Sequence, residues 1–98
     1  MTYELEFHPA ALAEWSKLDG SIRKQLKSKL ADRLAQPHVP AARVSGGLNL
    51  YKIKLRTVGY RLVYQVQDEQ VLVLVLSVGK RERNAAYQAA LWRIDDEA

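Results

Sequence analysis

Between residues 50 and 78 the chain reads as three strands in succession, and this run constrains the fold more than any other feature. Leu50 to Leu55 alternates, with Tyr51, Ile53 and Leu55 on one side and Lys52, Lys54 and, just beyond, Arg56 on the other. Tyr60 to Val66 alternates too, with Tyr60, Leu62, Tyr64 and Val66 opposed to Arg61, Val63 and Gln65. Val71 to Val78 is apolar except for Ser77. The links Arg56–Gly59 and Gln67–Gln70 are short enough to make both pairings antiparallel. A turn at Arg56–Gly59 sets Leu55 opposite Tyr60, Ile53 opposite Leu62 and Lys54 opposite Arg61. The unbroken third strand belongs in the centre, buried on both faces.

The segments on either side complete the architecture. Tyr3 to Phe7 alternates as a short strand. Pro9 suits a first helical position, with His8 as a mediocre cap before it. Leu12, Trp15 and Leu18 form the inner row of a helix ending at Asp19-Gly20. Ser21 then caps a second helix, with Ile22, Leu26, Leu30 and Leu34 inward and Arg23, Lys24, Lys27 and Lys29 outward. Pro37 ends it, and the two helices are expected to form an antiparallel hairpin. A loop follows over 37–48, with no period and with Pro37, Pro40 and Gly46-Gly47. The last helix spans about Arg83 to Ile94, with Ala86, Ala90 and Ile94 or Tyr87 and Leu91 as inner rows. Asp95 to Ala98 reads as a flexible acidic tail. The expectation is one α+β domain over 1–98, ordered β-α-α-β-β-β-α, with a mainly antiparallel sheet and helices packed on one side.

Charge is distributed unevenly. Residues 23–83 hold thirteen basic residues against four acids, a net of +9 inside a chain of net +4. Such a segment suits a polyanion, because each phosphate contact releases counterions. With no cysteine, disulfides and thiolate chemistry are excluded. Glu4, Glu6 and His8 interrupt the place where a secretory signal has its apolar run. Val71–Leu76 is too short to cross a bilayer. A cytoplasmic protein without membrane partners is expected.

The sheet itself carries a conflict. Lys54 opposite Arg61 is a like-charged cross-strand pair, and such pairs destabilise. Lys52 adds to it diagonally, and neither strand contains an acid. Something anionic is expected from outside. Lys80, Arg81 and Arg83 gather where the chain leaves the third strand of the run, and Tyr87 follows one helical turn after Arg83, offering a ring for base stacking. Other chemistries are poorly supplied. His8 and His38 stand alone and read as surface residues. Ser45-Gly46-Gly47 lacks the setting of a serine nucleophile, and no phosphate loop surrounds the glycines. An enzyme acting on phosphates here would use Lys, Arg and Tyr, with neither cofactor nor metal.

The stretches YKIKLRTVGYRLVYQV (51–66) and SVGKRERNAAY (77–87), with ALAEWSKL (11–18) and IRKQLKSKL (22–30), closely resemble the RelE toxins of bacterial toxin–antitoxin systems. The resemblance covers about residues 3 to 94. It implies an endoribonuclease that enters the ribosomal A site on the 30S subunit and cuts the messenger RNA there. It also implies neutralisation by a RelB-like antitoxin, and operator DNA bound only through the joint complex that represses the operon. The family's catalytic residues fall on Lys52, Lys54, Arg61, Arg81 and Tyr87. Lys24, Lys27, Arg43, Arg56, Lys80 and Arg83 are candidates for contacts with RNA and ribosome. One departure is Ser45, where well-known members carry arginine before the glycine matching Gly46; Arg43 stands two residues earlier. The alternatives are a ParE-like topoisomerase poison of the same fold, and a non-catalytic RNA- or operator-binding module.

Overall fold

A computed structural model describes residues 2–46, 48–80 and 85–96. In chain order the elements are β1 (Glu4–Phe7), α1 (Pro9–Ser16), α2 (Gly20–Ala35), β2 (Leu50–Leu55), β3 (Tyr60–Gln67), β4 (Leu72–Lys80) and α3 (Ala85–Asp96). Short 3-10 turns lie at Pro40–Ala42 and Asp68–Gln70. The sheet runs β1-β4-β3-β2, with β1 parallel to β4 and the other pairs antiparallel. Leu55 opposes Tyr60, Ile53 opposes Leu62 and Lys54 opposes Arg61, as the alternation requires. β4 is internal and buried from Leu72 to Val78.

Helices cover both faces of the sheet, not one. Ile22, Leu26 and Leu30 of α2, with Ala11 of α1, pack on Tyr51, Ile53, Leu62, Tyr64, Val73 and Val75. Ala86 and Ala90 of α3 pack on the opposite face, against Val44, Leu50, Val63, Leu74 and Leu76. The physical reason lies in β4: a strand apolar on both sides leaves half its side chains in water unless each face is covered. A bulge between Val63 and Tyr64 shifts the β3–β4 register, so that Val63 faces Ser77 and Tyr64 faces Val75. Alternation keeps Leu74 and Leu76 together beneath α3, and the bulge lets Val78, three residues beyond Val75, join it beneath α2.

Local chemistry departs from expectation at the helix starts. His8 is 7% exposed, and its Nδ1 accepts the Ala10 amide at 3.1 Å, so it is a buried cap and not a surface residue. α1 turns Ala11 and Trp15 inward, with Leu18 just beyond its end continuing the row, whereas Leu12 is 52% exposed. That row has i, i+4, i+7 spacing, as helical as the one expected, and only the position of the sheet chooses between them. α2 starts at Gly20 with Asp19 in the capping position, not Ser21. Ser21 Oγ instead donates to the Asp19 carboxylate at 2.8 Å. Arg23 is not available to a polyanion: its Nη1 donates to the carbonyls of Leu18 and Ser16, closing the end of α1. α3 continues to Asp96, beyond Ile94. Among the described residues no helix is long and apolar enough to cross a membrane.

Candidate active site

Strand alternation places Lys52, Lys54 and Arg61 on the face that α3 partly covers, and α3 sets Tyr87 among them. The Arg61 guanidinium lies 5.0 Å from the centre of the Tyr87 ring, and Lys52 Nζ lies 6.0 Å from it. The ring is therefore a floor for cations here, where the sequence suggested a platform for bases. Each such contact is worth about 0.5–1 kcal/mol where water reaches it. It eases the crowding of like charges on this face. The Tyr87 hydroxyl is buried and has no hydrogen-bond partner among the described residues. An unpaired buried hydroxyl costs about 1–3 kcal/mol, so it is a group in want of a partner.

Lys54 is the titrating group that this crowding affects. Its pKa is held below the ordinary lysine value, first by the charge of Lys52, then by burial, then by Arg61 and Arg56. The sequence pointed first to Arg61 across the strand pair; Lys52, on the same strand and face, weighs more. Beside Lys54 and Arg61 is a hollow of about 170 Å³, also lined by Leu55, Arg56, Gly59 and Tyr60. Gly79 stands opposite Arg61 on β4, with open space where a side chain would lie.

The other expected residues scatter. Lys80 is exposed at the end of β4, opposite Tyr60. Arg81 and Arg83 lie outside the described residues. Arg56 lines the hollow beside Lys54. Lys24 is exposed on α2, and Lys27 borders an apolar groove with Leu5, Phe7, Trp15 and Leu34, away from the cationic hairpin. Arg43 is exposed and bridges to Tyr51 on the outer edge of β2. Three residues later the loop turns through Gly46, whose φ of 98° suits glycine, and a side chain there would press on Leu91 of α3 at 3.3 Å.

Two features escaped the sequence. Arg33 Nη1 donates to the Lys52 carbonyl at 3.1 Å and to the Tyr64 hydroxyl at 2.8 Å, tying α2 to the strand that carries both lysines. Its only signal was the i, i+4, i+8 stripe Gln25–Lys29–Arg33, which does not say what it meets. His38 does not stand alone: its ring nitrogens contact the Tyr51 hydroxyl at 3.0 Å and Asp68 Oδ1 at 2.8 Å. Bonds from His38 and Tyr3 hold the Asp68 carboxyl below its usual pKa. Tyr51 stacks on Tyr64 in the core beneath α2, so this network braces the face opposite the cations.

The geometry can be set beside known proteins. Residues 5–85 match the family model of the ParE toxin of type II toxin–antitoxin systems, parDE. The mRNA interferase toxin RelE of Escherichia coli K12 is 53% identical over 94 residues, which is 96% of this chain and 99% of that one. A mutant of E. coli RelE solved in the free state superposes with a TM-score of 0.89 at 51% identity, covering 96% of this chain and 99% of that one. E. coli RelE in the intact RelBE toxin–antitoxin complex gives 0.80 at 54% identity, over 83% and 99%. Fold and matches together define a toxin of the type II toxin–antitoxin class. Within that class, the chain belongs to the RelE family of the wider RelE/ParE group.

Proposed function

We propose that this toxin is an endoribonuclease that cuts messenger RNA in the ribosomal A site and so stops translation. The observation that carries the proposal is the gathering of Lys52 and Arg61 around Tyr87, with Lys54 across from Arg61 and easier to deprotonate than a free lysine. In the reaction the ribose 2′-oxygen bonds to the adjacent phosphorus and the bond from phosphorus to the 5′-oxygen breaks. The products are a 2′,3′-cyclic phosphate and a 5′-hydroxyl. Lys54, or Lys52 beside it, takes the 2′-hydroxyl proton. Arg61 stabilises the charge that builds on the phosphorane. Arg81 assists the departing oxygen by charge and hydrogen bonding, since arginine stays protonated, and that oxygen takes its proton from water. Tyr87 supports Arg61 and offers its unpartnered hydroxyl to the substrate. The ribosome supplies the strand geometry, so free RNA is a poor substrate.

E. coli RelE has been solved with its antitoxin RelB. A RelB-like acidic partner that covers the cationic face or displaces α3, and represses the operon jointly with this toxin, fits the present chain. The family model that matches carries the ParE name, but a topoisomerase poison has no use for the Lys/Arg/Tyr cluster. A non-catalytic binding module would need the cations and not the Tyr87 hydroxyl.

The test is single-turnover cleavage on programmed ribosomes. Lys54→Ala, Arg61→Ala and Arg81→Ala should each lose at least about 100-fold, the lower end of acid–base and charge effects. Wild-type rates from the Lys54→Ala/Arg81→Ala double variant, or full activity on free RNA, would overturn the mechanism.

A further inference from the structure

β2 is an edge strand in the order β1-β4-β3-β2, and α2, packed on the face of the sheet, turns one of its stripes towards it. Gln25, Lys29 and Arg33 recur every four residues and so share one stripe of the helix. Arg33 fastens this stripe to β2 at the Lys52 carbonyl. One turn earlier, Lys29 and Gln25 border a second hollow of about 330 Å³ with Lys54, Leu55, Arg56 and Thr57. Lys54, Leu55 and Arg56 also line the hollow next to Arg61. The two hollows therefore adjoin, and together they form one furrow that leads from Arg61 past the edge of β2 to α2.

The chemistry of the far half is one-sided. Lys29 and Arg56 are exposed, and among the described residues neither makes an ion pair. Among the described residues no carboxylate lines either hollow, while Gln25 and Thr57 add neutral hydrogen-bonding groups. Three cations without an acid, in an open furrow continuous with the phosphate site, suit an extended polyanion.

The geometry points to a second binding subsite, formed by Gln25, Lys29, Arg56 and Thr57, that holds the phosphodiester backbone of an RNA strand next to the one being cut. It rests on the nuclease reading above. With the scissile phosphate between Lys54 and Arg61, a neighbouring stretch of backbone passes over Arg56 towards Lys29. Contacts to backbone position a strand without reading its bases, so the subsite strengthens binding equally for all sequences. The strand is either the messenger continuing from the cut or a ribosomal RNA strand beside it.

Ribosomes programmed with a messenger ending at the A-site codon, or extended beyond it, separate these sources. Toxin is titrated against each, and the half-saturating concentration, its salt dependence and the rate at saturation are measured. Lys29→Ala should raise half-saturation roughly three- to fivefold, as expected for one exposed ionic contact, and Lys29→Glu should raise it further. The slope of log affinity against log salt should fall by about one, with the saturated rate unchanged. Lys17→Glu, at the end of α1, makes the same charge change outside the furrow and controls for net charge. An effect confined to the extended messenger assigns the messenger strand; an effect on both assigns ribosomal RNA. Half-saturation and salt slope equal in Lys29→Glu and Lys17→Glu would overturn the subsite and leave the catalytic reading intact. A collapse of the saturated rate in both Lys29 variants would place Lys29 in the chemistry and overturn its role as a binding group. Wild-type toxin that neither binds nor cuts programmed ribosomes would overturn both readings.

Discussion

Lys52 and Lys54 project from the same face of β2, and their repulsion is the main reason Lys54 holds its proton less tightly than a free lysine. A like charge disfavours the protonated form, so removing it must raise the pKa. With Lys54 as base, the cleavage rate climbs with pH until Lys54 has lost its proton and then levels off. In Lys52→Met that climb should move to higher pH, and the rate near neutrality should fall for want of deprotonated Lys54. Single-turnover rates between about pH 6 and 9 measure this. A climb at the same pH in both proteins would mean that Lys52 does not set the basicity of Lys54. Tyr87 acts on the same cluster: one ring meets both Lys52 and Arg61.

The β2–β3 hairpin carries that repulsion as a whole. Lys54 stands directly across from Arg61, a pairing that a strand pair selected for stability alone would avoid. Lys54→Glu turns repulsion into attraction across the strands, where such pairs differ by about 0.2–1 kcal/mol. The variant should therefore unfold at higher urea concentration than the wild type while losing cleavage. A lowered midpoint would show that the site is not held against a cost in stability. The hairpin is kept in place from outside. Arg43 bridges to Tyr51 and Arg33 bonds the Lys52 carbonyl, so the edge is covered up to the point where the furrow begins.

Across the molecule, one ion pair joins three elements. Glu14 of α1 accepts two bonds from Arg93 of α3, at 2.8 and 3.0 Å, and one from the Val78 amide of β4 at 3.1 Å. Arg93 also donates to the Leu76 carbonyl at 2.8 Å. The pair is only partly exposed, at 18% and 35%, so loss of one partner leaves charge and backbone groups poorly satisfied. Arg93→Met keeps much of the packing and should cost about 1–3 kcal/mol by urea unfolding. Amide exchange should quicken most in α3, the helix that carries Tyr87. Equal exchange in the two proteins would show that α3 is held by Ala86 and Ala90 alone.

Much of this was legible in the residues themselves. Period-two alternation determined the hairpin register, and with it the meeting of Lys52, Lys54 and Arg61, because a slip of one residue would bury the lysines. The apolar run of β4 demanded a central place, and the spacing of Ile22, Leu26 and Leu30 defined the inner face of α2. These are local patterns, and local geometry suffices to read them. Which face α3 covers, and so whether Tyr87 meets the cations, depended on contacts between distant segments. The choice of Ala11 over Leu12, the bond from Arg33 to Lys52, the link of His38 to Asp68 and the clamp of Glu14 on Arg93 had the same origin. Each needs the relative placement of two elements, and spacing along one element carries no record of its neighbour.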